Sequence, residues 1–285
     1  MALLLGLLAA LCWSVHDLAA RHFAPTMGGF RLGFFTELAG FILLLPLVLN
    51  VGHGSSGDWL LLLALGLTYG VAVAGLFKAF AMAPVSIVGP LTAGYPALVV
   101  LWGLMHGLAP TVAQYLCMAA VLIGAGVVGR SGPDDGGIHT IAKGKFAEVM
   151  AWIVVADLSF AAAIVMGQKL GPVFGEARTA GLLRLPASLI LLPFAWREAS
   201  APPKLTVWII AAFAGMALLD VIALTGINYM GMLPGKELGA MGISAYGALA
   251  VLLATVFLNE RVSLGQWAGI ILIGAGVAGL GAQAG

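Results

Sequence analysis

The chain alternates long apolar runs with short polar breaks. Runs near residues 2–21, 30–49, 59–80, 84–106, 111–130, 146–169, 176–196, 205–230, 235–258 and 264–282 are mostly apolar. A helix needs about 20 such residues to cross the hydrocarbon of a bilayer. The pattern therefore predicts an all-α, polytopic membrane protein with ten transmembrane helices. The breaks are short, as at Gly52–Gly57 and Ala201–Pro203. The longest begins at Ser131 and runs through Gly132, Pro133, Asp134, Asp135, Gly136 and Gly137, a composition that reads as a turn-rich linker. No soluble domain fits between the runs.

One apolar stretch is written twice. Leu122-Ile123-Gly124-Ala125-Gly126-Val127-Val128-Gly129 returns, nearly unchanged, as Leu272-Ile273-Gly274-Ala275-Gly276-Val277-Ala278-Gly279, 150 residues later. Earlier pairs keep order at a slightly shorter offset: Trp13 with Phe160, Pro25 with Pro172, Arg31 with Arg178, and Pro46 with Pro193. Trp59 pairs with Trp208, Pro84 with Pro234, and Tyr95 with Tyr246. A slowly drifting offset is what small loop insertions produce in a duplicated unit. Residues 1–130 form the first five-helix repeat, 131–145 the linker, and 146–285 the second repeat. Five is odd, so the second repeat runs through the membrane inverted. A pseudo-twofold axis in the membrane plane is expected, with a substrate site near the midplane.

Composition sharpens this reading. Hydrophobic residues make up 61% of the chain and charged residues 9%. Soluble domains carry roughly a quarter charged residues. Lipid is therefore the expected solvent. The first Lys or Arg is Arg21, so the opening run lacks the basic start of a signal peptide and is expected to be a retained span. A net charge of +1 with no basic cluster gives no reason to expect a nucleic-acid partner. Cys12 and Cys117 sit in apolar runs and read as small packing residues rather than a disulfide or metal site. Acidic-histidine metal, phosphate-loop and nucleophile-elbow motifs are absent from the sequence, so no enzyme constellation or metal site is expected. The sequence is compatible with a monomer.

Many of the 40 glycines lie inside spans. Gly265 with Gly269 and Gly235 with Gly239 make GxxxG pairs, and Ala240, Ser244 and Ala248 continue a small-residue ridge. Lipid supplies no hydrophobic drive between helices, so these positions are expected to let backbones approach.

The ensemble resembles the drug/metabolite transporter superfamily in its EamA-type branch. The resemblance rests on the two five-span repeats, Trp13-Ser14 followed by Arg21, and the Arg that opens the second span of each repeat (Arg31, Arg178). The end of the second repeat fits best, with Asn259-Glu260-Arg261-Val262-Ser263 and then Gln266, Gly269 and Leu272-Ile273-Gly274. The first repeat departs, with His106-Gly107-Leu108-Ala109-Pro110 in place of the acidic turn, although Gln114 is kept. The resemblance implies secondary transport of small metabolites, often export of amino acids, without a bound cofactor. It also implies cytoplasmic termini. The Lys and Arg distribution points the other way: eight of thirteen lie at odd-numbered connections, including Arg130, Lys143, Lys145, Lys204 and Arg261.

Ionisable and polar side chains at membrane depth are expensive, so each is a candidate for function. In the first span Ser14, Asp17 and Arg21 share a face, and Asp17 can pair with Arg21. His16 points elsewhere. Tyr69 and Lys78 lie in the third span, where Lys78 is near enough to the end to snorkel. Thr92, Tyr95, Val99, Trp102 and His106 form a stripe on a fourth span bent by Pro90 and Pro96. Asp157, Asp220, Asn228, Ser244 and Tyr246 supply polar groups from the second repeat. Glu37 and Arg184 are repeat mates of opposite sign, which either meet or find local partners.

The substrate-contact set is thus Ser14, Asp17, Tyr69, Tyr95, Trp102, Asp157, Asp220, Asn228, Ser244 and Tyr246. Asp157 and Asp220 have no cation within a helical turn in sequence and are the expected proton carriers. The function expected is export of small amphipathic metabolites, amino acids first, across the cytoplasmic membrane by alternating access through a central cavity. A broad drug/metabolite permease, an uptake uniporter and a membrane-embedded enzyme are the alternatives.

Overall fold

The computed structural model describes residues 1–50, 54–130, 145–198, 206–258 and 262–283. The linker expected at 131–145 lies outside these residues except for Lys145, and so do Asn259, Glu260, Arg261, Lys143, Lys204 and Ala201–Pro203.

Fourteen helices and no strands are present among the described residues. Five are long and unbroken: α1 (Ala2–Met27), α4 (Ser56–Met82), α8 (Phe146–Phe174), α11 (Val207–Met230) and α14 (Leu264–Ala282). The others, in chain order, are α2 (Gly29–Leu43), α3 (Leu45–Val48), α5 (Val85–Thr92), α6 (Tyr95–Met105) and α7 (Val112–Arg130), then α9 (Glu176–Leu182), α10 (Arg184–Arg197), α12 (Lys236–Ile243) and α13 (Ala245–Phe257). Counting α5–α6, α9–α10 and α12–α13 as one each, eight helices among the described residues are long and apolar enough to cross a membrane. α7 has 19 residues, the same length as α14, and α2 and α3 are separated at Leu44.

The breaks have chemical causes. Pro46 lies two residues past the α2–α3 break and Pro96 two past Gly94 at the α5–α6 break. Each proline removes a backbone donor and disfavours helical geometry just before it. In the second half the breaks fall at Leu183 and Ser244, with Pro186 only just inside α10; Ser244 matches Gly94 at the repeat offset, whereas Leu183 does not match Leu44.

Single glycines make the sharpest corners. Gly28 joins α1 to α2 with φ 87° and ψ 147°, and Gly175 joins α8 to α9 with φ 90° and ψ 143°. That backbone region is essentially restricted to glycine. The two residues are 147 positions apart, the offset of the sequence pairs. Beside them Arg31 donates to the carbonyl of Met27 and Arg178 to that of Phe174, again at matched positions. At Gly28 the corner is filled by Glu198, which accepts the backbone N–H of Arg31 (2.9 Å) and pairs with Lys78 (3.3 Å). Lys78 thus reaches a partner carboxylate, with its ammonium 4.8 Å from the Phe30 ring centre, rather than open water.

The most extensive helix contacts join α7 with α14, α4 with α8, α1 with α11, and α2 with α10. Small residues form these seams. A Cβ on Gly75 of α4 would sit 2.7 Å from the carbonyl of Trp152 on α8, and one on Gly269 2.7 Å from the carbonyl of Gly124. Gly239 packs on Ala2 as expected of its GxxxG pair. Gly235 does not: it is the left-handed cap that starts α12, with φ 71° and open space around it.

The repeated stretch shows that one sequence motif serves two packings. In its first copy Gly124 is the crowded position and Gly126 is open; in its second copy Gly276 is crowded and Gly274 is open. Gly124→Leu should therefore drive a side chain into the Gly269 backbone and cost about 1–3 kcal/mol. Gly126→Leu should leave stability near wild type. Thermal unfolding in detergent micelles checks the pair, and equal destabilisation of both would contradict this seam.

Candidate functional site

The polar residues of the first span lie at its middle, and the folded chain gathers the middles of several other helices around them. A cavity lies there, about 450 Å³ when the space it shares with the outside is counted. Its walls are Trp13, His16 and Asp17 of α1, Glu37 of α2, and Tyr69, Val73, Leu76 and Phe77 of α4. Thr92 and Tyr95 come from the α5–α6 break, Phe160 from α8, Asp220 from α11 and Tyr246 from α13. Most stand about halfway along their helix or broken pair, while Leu76 and Phe77 lie nearer the end of α4. Helical periodicity explains the α1 face, because Trp13, His16 and Asp17 are spaced i, i+3 and i+4.

Two hydrogen-bonded groups furnish the cavity. In the first, Arg184 is completely buried and bonds Glu37 (3.0 Å) and Asp220 (2.7 Å). Asp220 also accepts from Trp13 Nε1 (2.6 Å) and from the Tyr69 hydroxyl (2.8 Å to each oxygen). Tight fit accompanies these bonds: a Cβ on Gly40 would meet the Arg184 guanidinium. In the second, Asp17 accepts from the Tyr246 hydroxyl and shares a 2.6 Å bond with His16 Nδ1. His16 also stacks on Phe77, at 5.7 Å between ring centres.

Aromatic rings form the remaining wall. Phe160 lies 5.6 Å from Tyr95, 5.8 Å from Tyr69 and 6.4 Å from Trp13, centre to centre. Behind Trp13, Tyr69 and Phe160 lies a second, smaller pocket that includes Asn228. The three rings thus stand between two spaces.

The expected site residues divide accordingly. Asp17, Tyr69, Tyr95, Asp220 and Tyr246 line the cavity. Ser14 is buried beside it and bonds the carbonyls of Ala10 (2.6 Å) and Tyr246 (3.2 Å), tying α1 to the start of α13. Asn228 belongs to the second pocket, donating to the carbonyl of Glu176 (3.0 Å). Ser244 is fully buried at the α12–α13 break. Asp157 lies against the α5–α6 break, where a Cβ on Gly94 would be 3.9 Å from its Oδ2. Its Oδ1 has no hydrogen-bond partner among the described residues.

Several expectations are corrected. Trp102 does not face the cavity: it is 46% exposed on the outer face and stacks on His106 at 4.0 Å. Tyr95 and Trp102 share the unbroken α6 and lie about two turns apart, so the stripe leaves the cavity along that one helix. Asp17 is engaged by Tyr246 and His16, while Arg21 donates to the carbonyl of Phe80 (2.7 Å), so the expected local pair gives way to interhelical bonds. His16 binds a carboxylate inside the cavity rather than pointing elsewhere. Asp220 has its cation after all, supplied by another helix, and with Arg184, Trp13 and Tyr69 on its oxygens it is a poor proton carrier. Glu37 and Arg184 do meet. The expected set omits Trp13, His16, Glu37 and Phe160, although the pairing of Trp13 with Phe160 and of Glu37 with Arg184 at one offset signals three of them.

Removing one partner from a buried ion pair costs about 3–5 kcal/mol, because a charge is left uncompensated. Arg184→Met should destabilise the protein by that amount. Adding Glu37→Gln and Asp220→Asn to it should restore much of the loss. Unfolding midpoints in detergent check this; an equally unstable triple variant would contradict it.

Comparison with known proteins bears on the whole chain. The sequence profile of the EamA-like transporter family matches residues 1–130 and 148–282. None of the curated proteins matches in sequence. A solved structure titled only "Crystal structure of protein" is similar in fold, with a TM-score of 0.72, 21% identity and 98% of each chain covered.

Proposed function

From the premise that this chain belongs to the EamA-like transporter family of multi-pass membrane proteins, we propose that it is a ten-helix secondary carrier built of two inverted repeats. It moves small amphipathic solutes carrying an amino group, amino acids among them, outward across the cytoplasmic membrane by alternating access. The observation that carries this is the position of the cavity: charged and aromatic groups from both sequence halves meet halfway along their helices, which is midplane depth in a bilayer. Aromatic walls suit the apolar part of a solute and the polar groups orient it.

Inversion is supported by particular pairs. Glu37 and Arg184 are repeat mates and touch each other, as residues beside a twofold axis do. Gly28 and Gly175 make the same corner. The second and fifth spans each pack on their own repeat mate, α2 on α10 and α7 on α14. The partition of Trp13, Tyr69 and Phe160 between two spaces supports gating. Ring rotations there would connect one space to the other without moving whole helices.

Asp157 is the proposed proton carrier. It is the carboxylate with a partnerless oxygen against the helix break, whereas the oxygens of Asp220 are occupied. Purified protein in liposomes, assayed by counterflow with an amino-acid panel and then with an imposed pH gradient, tests the reading. Wild type should respond to the gradient, and Asp157→Asn should exchange solute but lose gradient-driven accumulation. Gradient-driven accumulation that persists in Asp157→Asn would move the role elsewhere.

A further inference from the structure

Charge inside the cavity is lopsided. Three carboxylates line it: Asp17, Glu37 and Asp220. The guanidinium of Arg184 stands outside the lining, fully buried behind Glu37 and Asp220 and bonded to both. Its two bonded nitrogens already face protein carboxylates, and its Nε–H, without a partner among the described residues, is buried outside the lining. The remaining basic group is His16, committed to Asp17. Two basic groups, Arg184 and His16, thus stand against three carboxyl groups, so the cavity offers a cation more partners than it offers a free anion.

Two independent observations point to where that cation sits. Tyr95 is 4% exposed, lines the cavity, and its hydroxyl has no hydrogen-bond partner among the described residues. A phenol in that state can accept from a solute N–H as well as donate its own proton. Around it, the rings of Trp13 and Phe160 lie 6.4 Å and 5.6 Å from the Tyr95 ring, an aromatic wall on which a small cation can rest against a ring face. The negative face of a ring attracts a cation within about 6 Å, most strongly when the cation is desolvated. The N-terminus of α6 is a conventional receptor for a solute carboxylate in a broken helix. Here it is already faced by Asp157.

We propose that the cavity selects amines without a carboxylate: a primary or substituted ammonium held by Asp17 and the Tyr95 hydroxyl, with an aryl or alkyl body against Trp13 and Phe160. This deepens the transport reading and rests on it, narrowing the solutes that carry an amino group to those without a carboxylate, the decarboxylated counterparts of amino acids and similar organic cations.

Matched solutes test the claim. Binding of phenethylamine and phenylalanine to the full-length protein in detergent is measured by calorimetry, and their counterflow in proteoliposomes by isotope, across a panel of such amine and amino-acid pairs. Phenethylamine should bind at least about tenfold more tightly than phenylalanine, a difference that one well-placed charge supplies. Asp17→Asn should weaken phenethylamine by a similar factor, and Asp17→Glu should recover part of it. Unfolding midpoints of both variants separate loss of binding from loss of fold. Phenylalanine bound and moved in preference to phenethylamine would overturn the amine class while leaving the carrier reading intact. A panel in which neither member of any pair moves would overturn both. Wild-type phenethylamine affinity in a folded Asp17→Asn would overturn the assigned anchor.

Discussion

The interaction on which the structure depends is the bridge that Arg184 makes between Glu37 and Asp220. A guanidinium at the centre of a bilayer is costly, and an uncompensated carboxylate is too. Here the one guanidinium ties α10 to α2 and α11, and Asp220 extends the tie to α1 through Trp13 and to α4 through Tyr69. Five helices from both sequence halves are fixed at the same depth by one set of bonds. Lipid cannot supply that cohesion, because apolar side chains gain little by leaving one hydrocarbon for another. Glycine seams then allow the backbones to close up around the bridge, as at Gly75 on Trp152 and Gly40 on Arg184.

The bridge supplies two carboxyl groups, Glu37 and Asp220, to the cavity lining and keeps the guanidinium itself outside it. Beside them Asp17 is bonded by a hydroxyl and an imidazole, and the Tyr95 hydroxyl has no partner among the described residues. The ring layer of Trp13, Tyr69 and Phe160 divides this cavity from the pocket behind it. A layer of rings is suited to that place because it seals by contact and opens by rotation.

Much of this is legible in the sequence. Apolar runs locate the helices, and the repeat offset pairs Glu37 with Arg184 and Trp13 with Phe160 before any coordinates exist. What sequence spacing does not carry is which face of a helix turns inward. On α1, Ser14, Asp17 and Arg21 do share a face, yet the cavity takes Trp13, His16 and Asp17, because the α12–α13 break rests on Ser14. On α6 the stripe from Tyr95 to Trp102 is real as a periodicity, but the two lie about two turns apart, and Trp102 is past the cavity on the outer surface. Asp220 lacks a nearby cation in sequence and has one in space, 36 positions away. Long-range pairing of this kind follows from packing, which local periodicity does not encode.

The central claim is that the midplane cavity opens to water on each side in turn. Thr92 lines it and Leu101 faces outward, 51% exposed. In a background with Cys12→Ala and Cys117→Ala, a cysteine placed at either position reports whether water reaches it, because thiols react as solvated thiolates. A membrane-impermeant thiol reagent applied separately to each face of sealed vesicles should label Thr92→Cys from both faces, and faster than Leu101→Cys. Labelling of Thr92→Cys from neither face, or no faster than at Leu101→Cys, would contradict the account.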